Sequence, residues 1–308
     1  MEQEQSQSKE ALFRAVENVL SRQLATSLPA GLYLVATPIG NLADISLRAL
    51  GVLSYADIIY CEDKRHSVRL LNHYAIRSRL LSYHEHNAER QLDPLLTHIV
   101  EGKSVALISD AGTPLVSDPG YKLVVEAKQR DLPVIAIPGP SAPITALVSA
   151  GLPTDSFLFA GFLPPKKAAR KKRLLEFARS EATLIFFESP KRLKASLRDF
   201  AQCYGTRQAA VARELTKLHE TVVSGTLNQL VENFEKQEAI KGEIVIVVAA
   251  ADKDTAVLSD EELEQAIADE LQVSSLRDAV QVICAKYDLP RSKVYNLAVA
   301  VKKTAASQ

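Results

Sequence analysis

Residues 105–120 read VALISDAGTPLVSDPG: five residues suited to a buried strand, then eleven crowded with Gly, Pro, Asp, Ser and Thr. Glycine lacks a Cβ and proline fixes φ, so a loop of this composition can hold its backbone close to a ligand. One such loop could equally be a tight connection. The pattern recurs, however, at three other strand ends. GLYLVA (31–36) runs into TPIGNLAD, ADIIY (56–60) into CEDKRH, and VIAIP (134–138) into GPSAPIT. Helical patterns at 43–54, 89–101 and 120–130 separate these runs, and such alternation predicts a mostly parallel sheet. Ligands of open parallel sheets gather at the carboxyl ends of the strands, so the four loops are expected to share one pocket.

The style changes after about residue 152. SFLFAGF (156–162), ATLIFFES (182–189), QAAVARE (208–214), ETVVSG (220–225) and EIVIVVAA (243–250) read as five further strands, with helices near 166–179, 190–203 and 226–236. From 258 onward the patterns are purely helical. The expected organisation is an N-terminal extension (1–30), an α/β domain (31–151), a second α/β domain (152–252) and a small helical appendix (258–308). Within residues 1–30 a short amphipathic helix over 9–24 is conceivable, but a poorly ordered extension is the expectation.

Composition narrows the function. The 308 residues are 47% apolar and 24% charged, with 37 basic against 37 acidic side chains, so any affinity for nucleic acid must come from local patches. Cys61, Cys203 and Cys284 form no CxxC pair, which fits a reducing cytoplasm better than a disulfide framework. No basic start leads an apolar core, and no run approaches a membrane span. Neither GxGxxG nor GxxxxGK[ST] occurs, which removes the main support for a dinucleotide or a phosphate-loop nucleotide. The rigid, weakly charged TPIGN and GPSA turns suit a mostly neutral adenosine moiety instead.

Nine motifs in order then become specific: LVATPIGNLADISLRAL, EDKRH, SYHEHN, LISDAGTPLVSDPGYKLV, IPGPSAPITAL, GFLP, IFFESPKRL, ARELTKLHE and KGEIVIVV. Together they resemble the ribosomal RNA small-subunit methyltransferase I group of the tetrapyrrole methylase superfamily over roughly residues 31–250 and the helical tail. The resemblance implies an α/β fold of two tetrapyrrole methylase-type domains with S-adenosyl-L-methionine in the cleft between them, plus the C-terminal helical appendix. It also implies 2'-O-methylation of a cytidine ribose in the decoding region of small-subunit ribosomal RNA, on the 30S particle, by a homodimer. A tetrapyrrole or other small acceptor, or a non-catalytic RNA-binding protein that kept the fold, are the competing readings.

Carried over residue by residue, the resemblance assigns cofactor contacts to Thr37, Pro38, Ile39 and Gly40; to Asp110, Ala111, Gly112, Thr113, Pro114, Leu115 and Val116; to Ser141 and Ala142; and to Phe187, Gly242 and Glu243. Glu62, Asp63, Arg65 and Glu188 are the expected catalytic or target-pocket residues, and His84, Asn87, Arg213 and Glu214 the expected substrate contacts. Lys64 and Lys191 depart from the group's pattern. His84 and His86, read as alternating on a strand, lack a third ligand, and no metal is expected because methyl transfer from a sulfonium needs none.

PPKKAARKKR (164–173) places Lys166, Lys167, Arg170, Lys171, Lys172 and Arg173 within eight positions uninterrupted by an acid. Such crowding is better tolerated where phosphates supply the counter-charge, so these six are expected to contact RNA. The tail from Lys286 to Lys303, with five basic residues and one acidic, is a second candidate.

Overall fold

The computed structural model describes residues 2–25, 27–251, 260–287 and 289–305, and the chain divides into two compact units, Met1–Ala142 and Pro143–Gln308. The first contains α1 (Glu2–Gln23), β1 (Gly31–Val35), a 3-10 turn (Leu42–Asp44), α2 (Leu47–Tyr55), β2 (Ile58–Cys61), α3 (Lys64–His73), β3 (Arg79–Ser82), α4 (Ala88–Val100), β4 (Ser104–Ile108), α5 (Tyr121–Gln129) and β5 (Val134–Ile137). Its strands form one all-parallel sheet in the order β3-β2-β4-β1-β5.

The sheet is buried on both faces, which is why its strands read as continuous apolar runs. Successive residues alternate between faces. Leu32, Ile58, Tyr60, Val105 and Leu107 pack with Leu95, Leu96 and Ile99 of α4 and Leu123 of α5. Tyr33, Val35, Ile59, Ala106 and Ile108 pack with Val52 and Leu53 of α2 and Leu70 and Leu71 of α3. Each such large side chain contributes about 1.5–3 kcal/mol relative to exposure. The registers Leu34↔Leu107, Val35↔Ile137 and Cys61↔Ile108 bring the carboxyl ends of β1, β2, β4 and β5 out on one edge.

Two segments differ from the sequence expectation. The charged run after β2 is not wholly a loop: Asp63 accepts from the Arg65 amide and caps α3, turning CEDKRH into a helix start. The N-terminal segment is also more ordered than expected. It forms the 22-residue α1, which packs on α2 through the Tyr55 hydroxyl donating to the Leu24 carbonyl and Gln23 lying over Gly51.

The chain continues through α6 (Ala142–Ser149), β6 (Phe157–Phe162), α7 (Lys167–Glu176), β7 (Thr183–Glu188), α8 (Leu193–Tyr204), β8 (Gln208–Arg213), β9 (Thr221–Thr226), α9 (Leu227–Glu235) and β10 (Ile244–Val248). The second sheet, β6-β7-β10-β8-β9, is mixed: β6 runs parallel to β7 and the remaining pairs are antiparallel. Leu174 of α7, Leu197 and Phe200 of α8, and Leu230 and Phe234 of α9 cover one face with Phe186, Val211 and Ile246 beneath them.

α10 (Asp260–Val273), α11 (Leu276–Tyr287) and α12 (Arg291–Ala305) close around Leu263, Ile267, Val280, Ile283, Val294 and Ala298. The Gln202 side-chain amide donates to Glu270 at 2.6 Å and the Arg179 Nε to the Ala285 carbonyl at 3.3 Å, which ties this bundle to the preceding helices. Residues 252–259, where the expected boundaries at 252 and 258 fall, lie outside the described residues, as does Asp288, the acidic residue of the basic tail. Among the described residues no helix is long and apolar enough to cross a membrane.

Beneath α7 lies an ion pair: Arg170 and Asp199, with side chains only 6% and 4% exposed, meet at 2.7 Å, and Arg170 also donates to the Pro165 carbonyl at 3.0 Å. Removing one partner of such a pair strands a buried charge, whereas replacing both by apolar groups is close to neutral. Asp199→Ala should therefore cost about 3–5 kcal/mol in urea unfolding. Arg170→Met combined with Asp199→Leu should recover most of the loss.

Candidate active site

The loops after β1, β2, β4 and β5 converge within the first unit. Thr37 and Gly112 exchange backbone hydrogen bonds of 2.9 and 3.0 Å, forming an isolated antiparallel bridge beyond the strand ends. The Thr37 hydroxyl donates to the Ser109 carbonyl at 3.3 Å, and the Ser109 hydroxyl reaches the Ala111 and Gly112 carbonyls at 3.2 and 3.3 Å. The Thr113 hydroxyl donates to the Pro140 carbonyl at 3.1 Å, next to Ser141. The Asp63 amide donates to Asp110 at 3.0 Å, which joins the β2 loop to the same assembly.

Backbone conformation enforces this convergence. Gly112 sits at φ +80°, and a Cβ there would stand 3.3 Å from Ile39 Cγ2. Leu115 and Ser117 also have positive φ, 72° and 67°, which costs energy for residues that carry a Cβ. Thr37, Pro38 and Ile39 are buried under the assembly, while Gly40 and Ala111 are exposed and Asp110, Thr113, Leu115, Val116, Ser141 and Ala142 are half-buried.

Beside these loops stands a group of carboxylates whose environments pull them apart. Burial, then the Asp110 and other neighbouring negative charges, raise the Glu62 carboxyl above its ordinary value, with His84 opposing. Adjacent Asp63 goes the other way. Hydrogen bonds from the Arg65 side chain and amide hold it at about 2. The Arg65 fork embraces it at 2.7 and 3.2 Å while remaining 91% exposed. Asp118 was missed by the sequence reading. Burial, and then Glu62, push it up to about 6, with Ser109 opposing. Glu62, Tyr83, Ser109 and Asp118 border a pocket of about 10 Å³, close to the room one water needs.

His84 lies beyond β3, not on it, so His84 and His86 do not alternate along a strand as expected; their rings are 6.1 Å apart and edge-on. The His84 Nδ1 is buried without a hydrogen-bond partner among the described residues. Asn87 is 6% exposed and committed to its own connection: it accepts from the His84 amide at 2.8 Å and donates to the Ser82 carbonyl at 3.1 Å. That role displaces the expected substrate contact. Among the described residues no three His, Cys, Asp or Glu side chains gather as a metal-binding group.

In the second unit Phe187 stays half-buried, its ring 4.9 Å from Phe159 and 5.3 Å from Phe162, which is itself 57% exposed. Gly242, at φ +93°, leaves space for the Glu214 carboxylate, and no Cβ could share it. Glu214 accepts from the Glu243 amide at 3.0 Å and from Lys217 at 2.9 Å, Lys217 first and that amide second lowering its pKa. Arg213 donates to the Thr221 hydroxyl at 3.3 Å. Glu188 is wholly buried: it accepts from the Ser189 amide (2.7 Å) and the Ser196 hydroxyl (2.5 Å) and pairs with Arg192 (2.8 Å). Those partners occupy the carboxylate, so its observed role is to anchor the start of α8 and not the catalytic one expected. Of the six clustered cations, Lys166, Lys167 and Lys172 are exposed, Lys171 and Arg173 half-buried, and Arg170 buried against Asp199, which corrects its expected RNA contact.

Comparison with known proteins identifies the fold and its branch. The family model for Tetrapyrrole (Corrin/Porphyrin) Methylases matches residues 31–231. The chain belongs to the tetrapyrrole methylase family. Within it, a protein of Mesorhizobium japonicum named ribosomal RNA small subunit methyltransferase I is 55% identical over 74% of this chain and 78% of its own length. One of the same name from Micromonospora olivasterospora is 43% identical over 89% and 88%. The structure of a cobalt precorrin-4 methyltransferase shares the fold with a TM-score of 0.54 at 19% identity, covering 71% of this chain and 94% of that one.

In this tetrapyrrole methylase the sequence signal for Asp118 was present in the DPG turn, but the turn reads as geometry and conceals the acid. Burial and the Glu62 charge disfavour ionised Asp118, so its stabilising effect is complete below the ordinary carboxylate value of 3.8 and is lost as pH rises through about 6. Asp118→Asn should melt above the parent at pH higher than about 6, the difference closing toward pH of about 4. Calorimetric melting across that range measures it; a gap independent of pH would refute the assigned ionisation.

Proposed function

We propose that this chain transfers the methyl group of S-adenosyl-L-methionine to the 2'-oxygen of a cytidine ribose in the decoding region of small-subunit ribosomal RNA. It does so in the cytoplasm, on the 30S particle, as a homodimer. The similar relatives named ribosomal RNA small subunit methyltransferase I support S-adenosyl-L-methionine-dependent methylation of ribosomal RNA; the atom, the nucleotide and the assembly belong to the proposal. The observation that carries it is the Thr37–Gly112 bridge with its Thr113–Pro140 companion, set beside Glu62.

The loops fit the cofactor on their own chemistry. A Cβ at Gly112 would press on Ile39, so the backbone approaches as closely as a cradle for a flat ligand requires. The nearby Asp110 carboxylate supplies negative charge suited to a cation. Thr37–Gly40, Asp110–Val116, Ser141 and Ala142 would hold the cofactor. When bound, the sulfonium supplies a methyl group with its leaving group already in place. The protein is left to align the ribose, worth about 7–11 kcal/mol in well-oriented systems, and to accept one proton.

Glu62 is the favoured proton acceptor. Its raised pKa brings it nearer the neutral range in which a base works best, whereas Asp63 is held low and occupied by Arg65. Glu62→Gln should lower kcat about 100- to 10,000-fold and leave cofactor affinity by calorimetry unchanged. The reaction itself is tested with methyl-labelled cofactor and either 30S subunits or free small-subunit RNA. Label should appear in a nucleotide resistant to alkaline cleavage, because a methylated 2'-oxygen can no longer attack its phosphate. Label on a base, or no transfer to either acceptor, overturns the proposal.

A further inference from the structure

α7 and the turn between α10 and α11 border a groove of about 720 Å³ within the second unit. One wall carries Lys167, Lys171 and Lys172; the other carries Val273, Ser274, Ser275, Arg277, Asp278 and Gln281. We propose that this groove grips the sugar–phosphate backbone of the RNA substrate, with Arg277 completing a phosphate site whose other side is built by Lys167, Lys171 and Lys172. The inference rests on the ribosomal RNA reading above and adds to it a surface that neither basic stretch forms alone.

Charge is the first argument. Among the described residues four cations face one carboxylate, and Asp278 is already engaged, accepting the Ser275 hydroxyl at 2.8 Å. Among the described residues no carboxylate pairs with Lys167, Lys171, Lys172 or Arg277, although their neighbours Arg170 and Arg173 are each paired, with Asp199 and Glu176. Cations held this close without counter-charge repel one another unless a polyanion neutralises them.

Shape is the second. The groove is fixed by the Arg179–Ala285 and Gln202–Glu270 bonds and by Val282, which is only 2% exposed. Little ordering cost therefore remains to be met on binding. Ala168, Ala169, Leu175 and the 70% exposed Val273 provide apolar patches for sugar faces, and Ser274 and Gln281 provide neutral polar groups. Among the described residues the lining holds no aromatic side chain on which a base could stack. The grip is thus on the backbone and independent of sequence, which positions the RNA without selecting the nucleotide.

The test measures binding of a single-stranded small-subunit RNA fragment as a function of salt for the parent, Arg277→Gln and the pair Lys171→Gln/Lys172→Gln. Each variant should lose about 0.7 in log–log salt slope per phosphate contact removed, with cofactor affinity and melting temperature retained. If the parent binds RNA and both variants keep its slope, the groove proposal fails while the function stands. If only the lysine pair changes the slope, the composite site fails. Variants that bind naked RNA normally but lose the 30S particle would assign the groove to a ribosomal protein and overturn the proposal. A parent that binds no RNA sinks the RNA reading and the groove together.

Discussion

The reciprocal backbone pair between Thr37 and Gly112 is the constraint on which the candidate site depends. A parallel sheet gives its strands neighbours only along their length, and the loops that leave its carboxyl edge inherit no ladder. Loops rich in glycine and proline are costly to order, and their backbone groups need partners. The bridge meets both demands by pairing the β1 and β4 loops beyond the sheet. Ser109 then closes the turn on itself through its hydroxyl, and Thr113 extends the stitching to Pro140. A residue with a Cβ at position 112 would strain φ and crowd Ile39 together, so a single glycine governs the approach of two loops.

The same architecture separates two adjacent acids. Asp63 falls where α3 begins, its carboxylate capping the helix and clasped by Arg65, and these bonds favour the charged form. Glu62, one residue earlier, remains against the sheet edge with Asp110 nearby, where burial and like charge favour the neutral form. Divergent environments within one dipeptide are a general means of assigning different roles to chemically similar groups. Asp118 extends the effect, since burial and then the Glu62 charge disfavour its ionisation. Glu62 therefore acts electrostatically on a neighbour in the β4 loop.

Much of this was legible in the sequence, for identifiable reasons. Strands buried on both faces leave continuous apolar runs, so β1, β2, β4 and β5 and the loops after them stood out, as did the five strands of the second sheet. α3 did not, because its opening turn is written in charges whose capping role depends on backbone geometry. α1 was underestimated because its contact with α2 relies on Tyr55 and Gln23, neither of which forms a periodic apolar signal. Asn87 and Glu188 matched a functional pattern, yet local hydrogen bonds satisfy both side chains. Polar residues at strand ends serve chemistry and local structure with the same atoms, and only coordinates reveal which partners they have taken.

Helix phase explains the remaining case. α7 reads along the chain as one undivided run of cations, but a helix turns by about 100° per residue and distributes such a run around its axis. Arg170 and Leu174, four apart, face inward and are both buried, the arginine affordable there only because Asp199 meets it. Lys167 and Lys171, also four apart, fall together on the groove side, and Lys172 lies next to them. One basic run thus serves two physical purposes: an internal charge that locks α7 to α8, and an external set, Lys167, Lys171 and Lys172, that pairs with no carboxylate among the described residues. The positions of the apolar residues in the run, and not its total charge, decide which lysines are free to meet a polyanion.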